Sequence, residues 1–246
     1  MRYFITLSYD GTHYHGWQVQ PNGITVQSEL ERGLSLLLRQ PIAVTGAGRT
    51  DAGVHARRMV AHFDTEAAFD PARLAAKLNS LLHHDISIWD IHQVSDALHA
   101  RFSATRRTYR YFIHTEKDPF LAAYSCLLRY RLDFEAMNCA AATLLRHDDF
   151  AAFCKSHADV GTTLCKVYAA EWHQTGAHSW YFEISANRFL RNMVRAVVGT
   201  LIEVGRGRLS LEGFQDVVRS GRRTEAGESM PANALFLETV EYPAEN

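Results

Sequence analysis

Three clusters in this chain bring together residue types able to do chemistry. The first is GAGRTDAGVHA, Gly46 to Ala56, where one Arg, one Asp and one His stand among small residues. Glycines at 46, 48 and 53 give the backbone access to positive φ and to close approach. Asp is common in such turns because its carboxylate accepts nearby backbone N–H groups, and Asp51 has that reading open to it. Arg49, two residues earlier, opens a second one. Arginine keeps a carboxylate ionised or positions an anionic ligand, and a plain turn needs neither. Asp51 is thus a candidate reactive carboxylate, while His55 reads as structural or auxiliary.

The second cluster is RFSATRRTYRYF. Arg101, Arg106, Arg107 and Arg110 occur there with no acidic residue among them, interleaved with Phe102, Tyr109, Tyr111 and Phe112. In a strand, Tyr109 and Tyr111 fall on one face and Arg110 on the other. The segment is either an amphipathic strand with a solvated basic face or a surface where Arg meets phosphate and an aromatic stacks on a base. The third cluster, ANRFLRNMVRAVVG, carries Arg188, Arg191 and Arg195 into a helix whose other face is Met193, Val194, Val197, Val198 and Leu201. Arg191 and Arg195 are four apart and would repel on one face. The arrangement suits an opposing anion or carboxylate; a solvated helix end is the alternative.

The elements that must position these clusters alternate without a regular βαβ repeat. RYFITLSY reads as a strand ending at the turn signal Asp10-Gly11. TVQSELERGLSLLLRQP places Val26, Leu30, Leu34, Leu37 and Leu38 on one helical face ahead of Pro41. IAVTG and MVAHFDT read as strands on either side of the glycine loop. DPARLAAKLNSLL has Asp70 as N-cap and Pro71 at the first helical position. ISIWDIHQV is a further strand, and the basic segment is expected to continue as one from His99. The second half follows a similar order: a helix over DFEAMNCAAATLLR, a hairpin of TTLCKVYAAEWHQ with SWYFEISANRF, a helix over LRNMVRAVVGTLIEVG and a short helix capped by Ser210. The closing strand is NALFLETVEYP. The expected class is α+β with largely antiparallel sheets. Two loosely related halves, 1–105 and 106–246, are expected to join in the basic segment, and a sheet continuing across that join would explain the missing linker.

Bulk properties bound the partners. The formal net charge of -1 over 246 residues gives no global attraction to nucleic acid or membrane, so any polyanion site must come from uneven placement of charge. Apolar runs fall short of the ~20 residues of a membrane span, and the N-terminus enters a strand rather than a secretion signal. A soluble cytoplasmic protein is expected. Cys126, Cys139, Cys154 and Cys165 show no CxxC pairing and read as free thiols; with His147 or His157 they match no common zinc spacing, so no metal is expected.

Six stretches occurring in one order, YDGTHYHGWQ, GAGRTDAGVHA, HARFSATRRTYRY, DDFAAF, ANRFLRNMVRAVVGTL and ANALFLETVEYP, resemble the tRNA pseudouridine synthase A family over nearly the whole chain. The resemblance implies the pseudouridine synthase fold, with two related halves meeting at a central RNA-binding cleft. It implies isomerisation of uridine to pseudouridine at positions 38, 39 and 40 of the tRNA anticodon stem-loop, with Asp51 as catalytic carboxylate. Tyr109 matches the pocket tyrosine that stacks on the target base, and Arg195 the arginine that pairs with the carboxylate. Arg49 matches the arginine that takes the space of the flipped nucleotide, and Leu235 the apolar residue lining the uracil pocket. Arg106, Arg107 and Arg110 are candidates for RNA-backbone contact. A homodimer acting on tRNA is also implied. Isomerisation exchanges no electrons, so no cofactor is expected. The carboxylate could attack ribose C1′ or uracil C6, or abstract a ribose proton. Two departures stand out: Ala234 where the family often has Gly, and Cys154 where many relatives carry Arg. The competing readings are an RNA-binding protein without catalysis, which would need no nucleophile, and a synthase acting on another RNA.

Overall fold

The computed structural model describes residues 1–155 and 161–243. It divides into two compact units, Met1–Thr105 with the residues from Leu237 onward, and Arg106–Phe236. The first unit's N-terminal stretch ends at Thr105, and the residues from Leu237 group with it.

In the first unit, β1 (Arg2–Tyr9) pairs antiparallel with both β3 (His55–Asp64) and β4 (Ile86–Val94), and β2 (Thr45–Gly46) adds to β3. Tyr3, Ile5 and Leu7 pair with Phe63, Ala61 and Met59, and all six are buried. Phe4, with the opposite parity, packs in a second cluster with Val60, Val94, Ala100, Leu98, Val240 and Tyr242, so both faces of this sheet carry apolar contacts. Helices α1 (Val26–Leu38) and α2 (Pro71–Leu81) start where the sequence predicts. Thr25 accepts from the Ser28 amide at 3.1 Å, and Asp70 accepts from the Arg73 amide at 2.9 Å with Pro71 opening the helix. Leu37 and Leu38, expected inside, are only half-buried.

The expected IAVTG strand shrinks to Thr45–Gly46 because α1 takes its backbone groups. Ser35 Oγ accepts the Ile42 N–H and Glu31 Oε1 the Val44 N–H, each at 2.9 Å, while Gln27 Nε2 donates to the Val44 carbonyl at 2.9 Å. A ladder cannot use groups already spent.

In the second unit, β5 (Arg106–His114) pairs antiparallel with β8 (Ser179–Ala186), which forms the expected hairpin with β7 (Val167–Gly176). The two-residue β6 (Cys126–Leu127) joins β5 in parallel. Helices α3 (Phe134–Thr143), α4 (Met193–Gly205) and α5 (Leu211–Ser220) complete the unit, α4 being buried along most of its length. Strand β9 (Leu235–Glu241) begins in this unit and ends in the first. The class is α+β with mostly antiparallel pairing.

Two boundaries differ from expectation. The strand predicted from His99 starts only at Arg106, because His99 Nδ1 accepts the Arg101 and Phe102 amides at 3.1 and 3.2 Å and closes a turn there. Helix α4 starts at Met193, because Asn192 takes a left-handed φ of 68°. Arg191 therefore precedes the helix, and the shared face expected for Arg191 and Arg195 does not exist. Among the described residues no helix is long and apolar enough to cross a membrane. All four cysteines are free thiols, and His157 lies outside the described residues.

His62 supplies a pH test of this packing. It is 6 % exposed, accepts the Ala100 amide at Nδ1, and its pKa falls to about 4 through burial and the nearby Arg2 and His99. A histidine whose folded pKa lies below its unfolded value binds fewer protons when folded, so stability is full above about pH 6.5 and declines toward pH 4. Urea unfolding midpoints measured between pH 7 and 4 are expected to fall over that window, and His62→Asn is expected to flatten the slope.

Candidate active site

The loop carrying Asp51 is held from below by a second loop. Trp17 donates its amide to the Thr50 carbonyl at 3.2 Å, and Val54 donates to the Asp51 carbonyl at 3.1 Å. Thr50 is buried with its Oγ1 2.9 Å from the Tyr9 hydroxyl. Gly53 takes φ 78°, turning the chain into β3.

Two glycines of YDGTHYHGW let the backbones touch. A Cβ on Gly16, which itself has φ 83°, would lie 2.4 Å from the Thr50 carbonyl oxygen and 3.1 Å from the Asp51 carbonyl carbon. A Cβ on Gly11 would lie 2.0 Å from the Val54 carbonyl oxygen. The result is a loop whose flanks, Thr50 and Val54, are buried, while Asp51 is half-exposed and Ala52 and Arg49 face solvent. A carboxylate is thereby displayed on a rigid support. Among the described residues the Arg49 side chain, two positions before Asp51 in the chain, makes no hydrogen bond or ion pair.

His55 belongs to the support. It is 1 % exposed, and its Nδ1 accepts the Gly11 amide at 3.0 Å. Asp10 Oδ1 lies 3.0 Å from the same nitrogen. One nitrogen cannot accept from Gly11 and donate to Asp10 together, so the tautomer decides which of the two contacts is the bond. Asp10 also accepts the Thr12 amide and hydroxyl at 2.9 and 2.5 Å.

In the second unit, alternation along β5 puts Arg107, Tyr109, Tyr111 and Ile113 on one side, all buried, and Arg106, Thr108, Arg110 and Phe112 on the other. Tyr109 is 8 % exposed and meets the edge of Phe189 with centroids 5.0 Å apart. The three arginines proposed for RNA backbone thus do not share one face. Arg107 is buried and donates to the Asn187 carbonyl at 2.6 Å. Arg110 pairs with Glu183 of β8 at 2.8 Å and lies over the Tyr181 ring. The absence of acidic residues within RFSATRRTYRYF was misleading, because the partner comes from the neighbouring strand. Arg106 is exposed, its guanidinium carbon 4.8 Å from the Tyr168 ring centre.

Arg195, on the first turn of α4, donates from Nε to the Met230 carbonyl at 2.5 Å, and the Met230 amide returns to the Arg195 carbonyl at 3.1 Å. The Tyr111 hydroxyl donates to the Pro231 carbonyl at 3.0 Å. These bonds fasten the segment leading to Leu235, which is 6 % exposed at the start of β9. Ala234 is fully buried in a short 3₁₀ turn, Ala232–Ala234, and its φ is not positive, so no glycine is required there. Cys154 closes another such turn; burial pushes its thiol up, with nearby Arg188 opposing. Burial likewise raises Cys165 to about 11, so both thiols are poor nucleophiles.

Sequence reasoning missed Tyr9, Gly11, Gly16, Trp17 and Thr50 as residues that position the Asp51 loop. Their signal was the pair of glycines in YDGTHYHGW, legible only once the two loops are seen to meet.

Comparison with known proteins follows the same residues. A family model described as tRNA pseudouridine synthase matches residues 5–103 and 140–243. A tRNA pseudouridine synthase A of Bacteroides fragilis is 55 % identical over 245 residues, 99 % of this chain and 97 % of the relative. Its counterpart in Bacteroides thetaiotaomicron is 54 % identical, covering 98 % of this chain and 91 % of the relative. One from Chlorobaculum tepidum is 44 % identical, covering 97 % and 96 %.

The close fit of the loops predicts a sharp response to one methyl group. Gly16→Ala combines a backbone conformation that alanine resists with a 2.4 Å clash against the Thr50 carbonyl, and is expected to cost about 2 kcal/mol or more of stability in urea titration. Gly48→Ala, whose Cβ would meet nothing within 4 Å, is expected to unfold as the parent does.

Proposed function

This chain belongs to the tRNA pseudouridine synthase family, and on that premise we propose that it isomerises uridine to pseudouridine at positions 38, 39 and 40 of the tRNA anticodon stem-loop. The observation that carries the reading is the display of Asp51 between two buried anchors, with Arg49 beside it and the glycine contacts of Gly11 and Gly16 beneath.

The chemistry follows from what the side chains offer. The glycosidic C–N bond of the target uridine breaks and a C–C bond to C5 forms. An ionised Asp51 starts this by attack on C1′ or C6 or by removing a ribose proton, and the C5 proton leaves last. Base and sugar in a stacked duplex are out of reach, so the nucleotide must be extruded at a cost of a few kcal/mol. Arg49, exposed and without an ion-pair partner among the described residues, is suited to fill the vacated place. Tyr109 is the proposed stacking partner of the uracil, and Leu235 a wall of its pocket. Arg195 is proposed to serve the same reaction by holding the carboxylate's charge and orientation. Of the phosphate-contact candidates, exposed Arg106 is the strongest, and Arg107 and Arg110 contribute less because each is already engaged. The protein is proposed to act in the cytoplasm as a homodimer.

Asp51→Asn keeps the shape of the side chain and removes the nucleophile. Single-turnover assays on unmodified tRNA transcript are expected to show a loss of about 10⁴-fold or more, with tRNA affinity retained within roughly threefold. Substantial residual turnover would defeat the assignment. Arg195→Ala is expected to lower the single-turnover rate about 100-fold, with Arg195→Lys recovering part of it.

A further inference from the structure

We propose that Phe102 is a stacking platform for an unpaired base of the tRNA substrate, a contact separate from the uridine that reacts; the proposal rests on the functional reading above. Phe102 is 76 % exposed, an unusual position for a phenylalanine in a turn this tightly held.

Nearly every backbone group around it is spent. The Leu98 carbonyl accepts Arg2 Nη1 at 2.8 Å, and the Ala100 amide donates to His62 at 3.1 Å. The Ala100 carbonyl accepts the Tyr242 hydroxyl at 2.7 Å. His99 and Ser103 close on each other, amide to hydroxyl and amide to carbonyl, both at 2.9 Å. The Arg101 and Phe102 amides both donate to His99 Nδ1. The turn therefore cannot swing its aromatic tip into the core.

His99 covers one side of the ring, with centroids 4.4 Å apart and planes 33° apart, and His99 itself rests edge-on against buried His62 at 4.6 Å. The row of rings runs from the interior outward as His62, His99, Phe102. A base laid on Phe102 would extend it by one member. The Arg101 guanidinium carbon lies over the Phe102 ring, 5.6 Å from its centre, so a base taking that face would displace a cation that can follow the same nucleotide's phosphate.

The surroundings favour a nucleotide over a protein partner. A protein anchor residue needs an apolar skirt that excludes water, whereas Phe102 is flanked by Arg101, Ser103, Ala104 and Thr105. An unpaired base is required because a paired one already has both faces covered in its own helix.

The test uses the full chain carrying Phe102→p-benzoylphenylalanine, irradiated with unmodified tRNA transcript. A cross-link to one or two adjacent unpaired nucleotides supports the proposal. Cross-linking to a second copy of the protein, to duplex only, or to nothing overturns it. In steady-state assays Phe102→Ala is expected to raise KM for tRNA about tenfold with kcat little changed, as loss of one base–aromatic stack does. Phe102→Trp is expected to restore KM, and Phe102→Leu, apolar but without a π-face, is expected to behave as the alanine variant. Equal KM for phenylalanine and leucine, or an unchanged KM in Phe102→Ala, would overturn it. Because the side chain is exposed, unchanged Tm in each variant is the folding control. A parent enzyme that fails to convert uridine defeats the functional reading; an active parent with indifferent Phe102 variants defeats this inference alone.

Discussion

A single steric condition organises the first unit: at Gly11 and Gly16 two backbones approach more closely than any Cβ allows. Other contacts are arranged to keep that approach in register. The Val26 and Gln27 amides donate to the carbonyls of Gly16 and Trp17, so the start of α1 fixes the end of the supporting segment. The Tyr14 hydroxyl reaches Asp85 at 2.5 Å beside β4, and Trp17 lies buried under Gly46, where a Cβ would meet its indole at 2.4 Å. Below these sits the core of β1 and β3. A reactive carboxylate gains from this because an orientation fixed at folding need not be fixed again at each turnover.

The second unit applies backbone polar groups to a different end. Strand β5 presents Tyr109 between Arg107 and Tyr111, and each of those neighbours is tied to a carbonyl, of Asn187 and Pro231 respectively. Arg195 is tied to Met230 in the same manner. These side chains are buried or half-buried, where a polar group without a partner is costly, so their bonds are structural necessities as well as constraints on orientation. Electrostatics is handled locally. Arg2, Arg32, Arg57, Arg110, Arg206 and Arg219 each face an acidic partner, so much of the arginine charge is compensated where it stands.

The sequence was most legible where one local rule decides. Asp70 with Pro71, Ser210 ahead of α5, and the alternation of RYFITLSY needed no tertiary information. It was least legible where distant residues compete for a backbone group or a charge. The Ile42–Val44 stretch reads as a strand until α1 claims its amides, and Arg110 reads as free basic surface until Glu183 arrives from β8. Arg191 and Arg195 lost their common face to one left-handed residue, Asn192, that periodicity does not register. At the candidate site, Asp51 and Arg49 stood out by type and spacing. Their supports Tyr9 and Trp17 did not, because a hydroxyl or an indole more than thirty residues away gives no local sign of what it will touch.

The central claim is that the Asp51 loop is already set before tRNA arrives, and amide hydrogen exchange on the free protein tests it most directly. The reporters are the Trp17 and Val54 amides, which bond to the Thr50 and Asp51 carbonyls. The account predicts that both exchange only through global unfolding, and that adding tRNA leaves their protection nearly unchanged. Rapid exchange in the free protein, followed by strong protection once tRNA is bound, would contradict it and would show the loop to be assembled by its substrate.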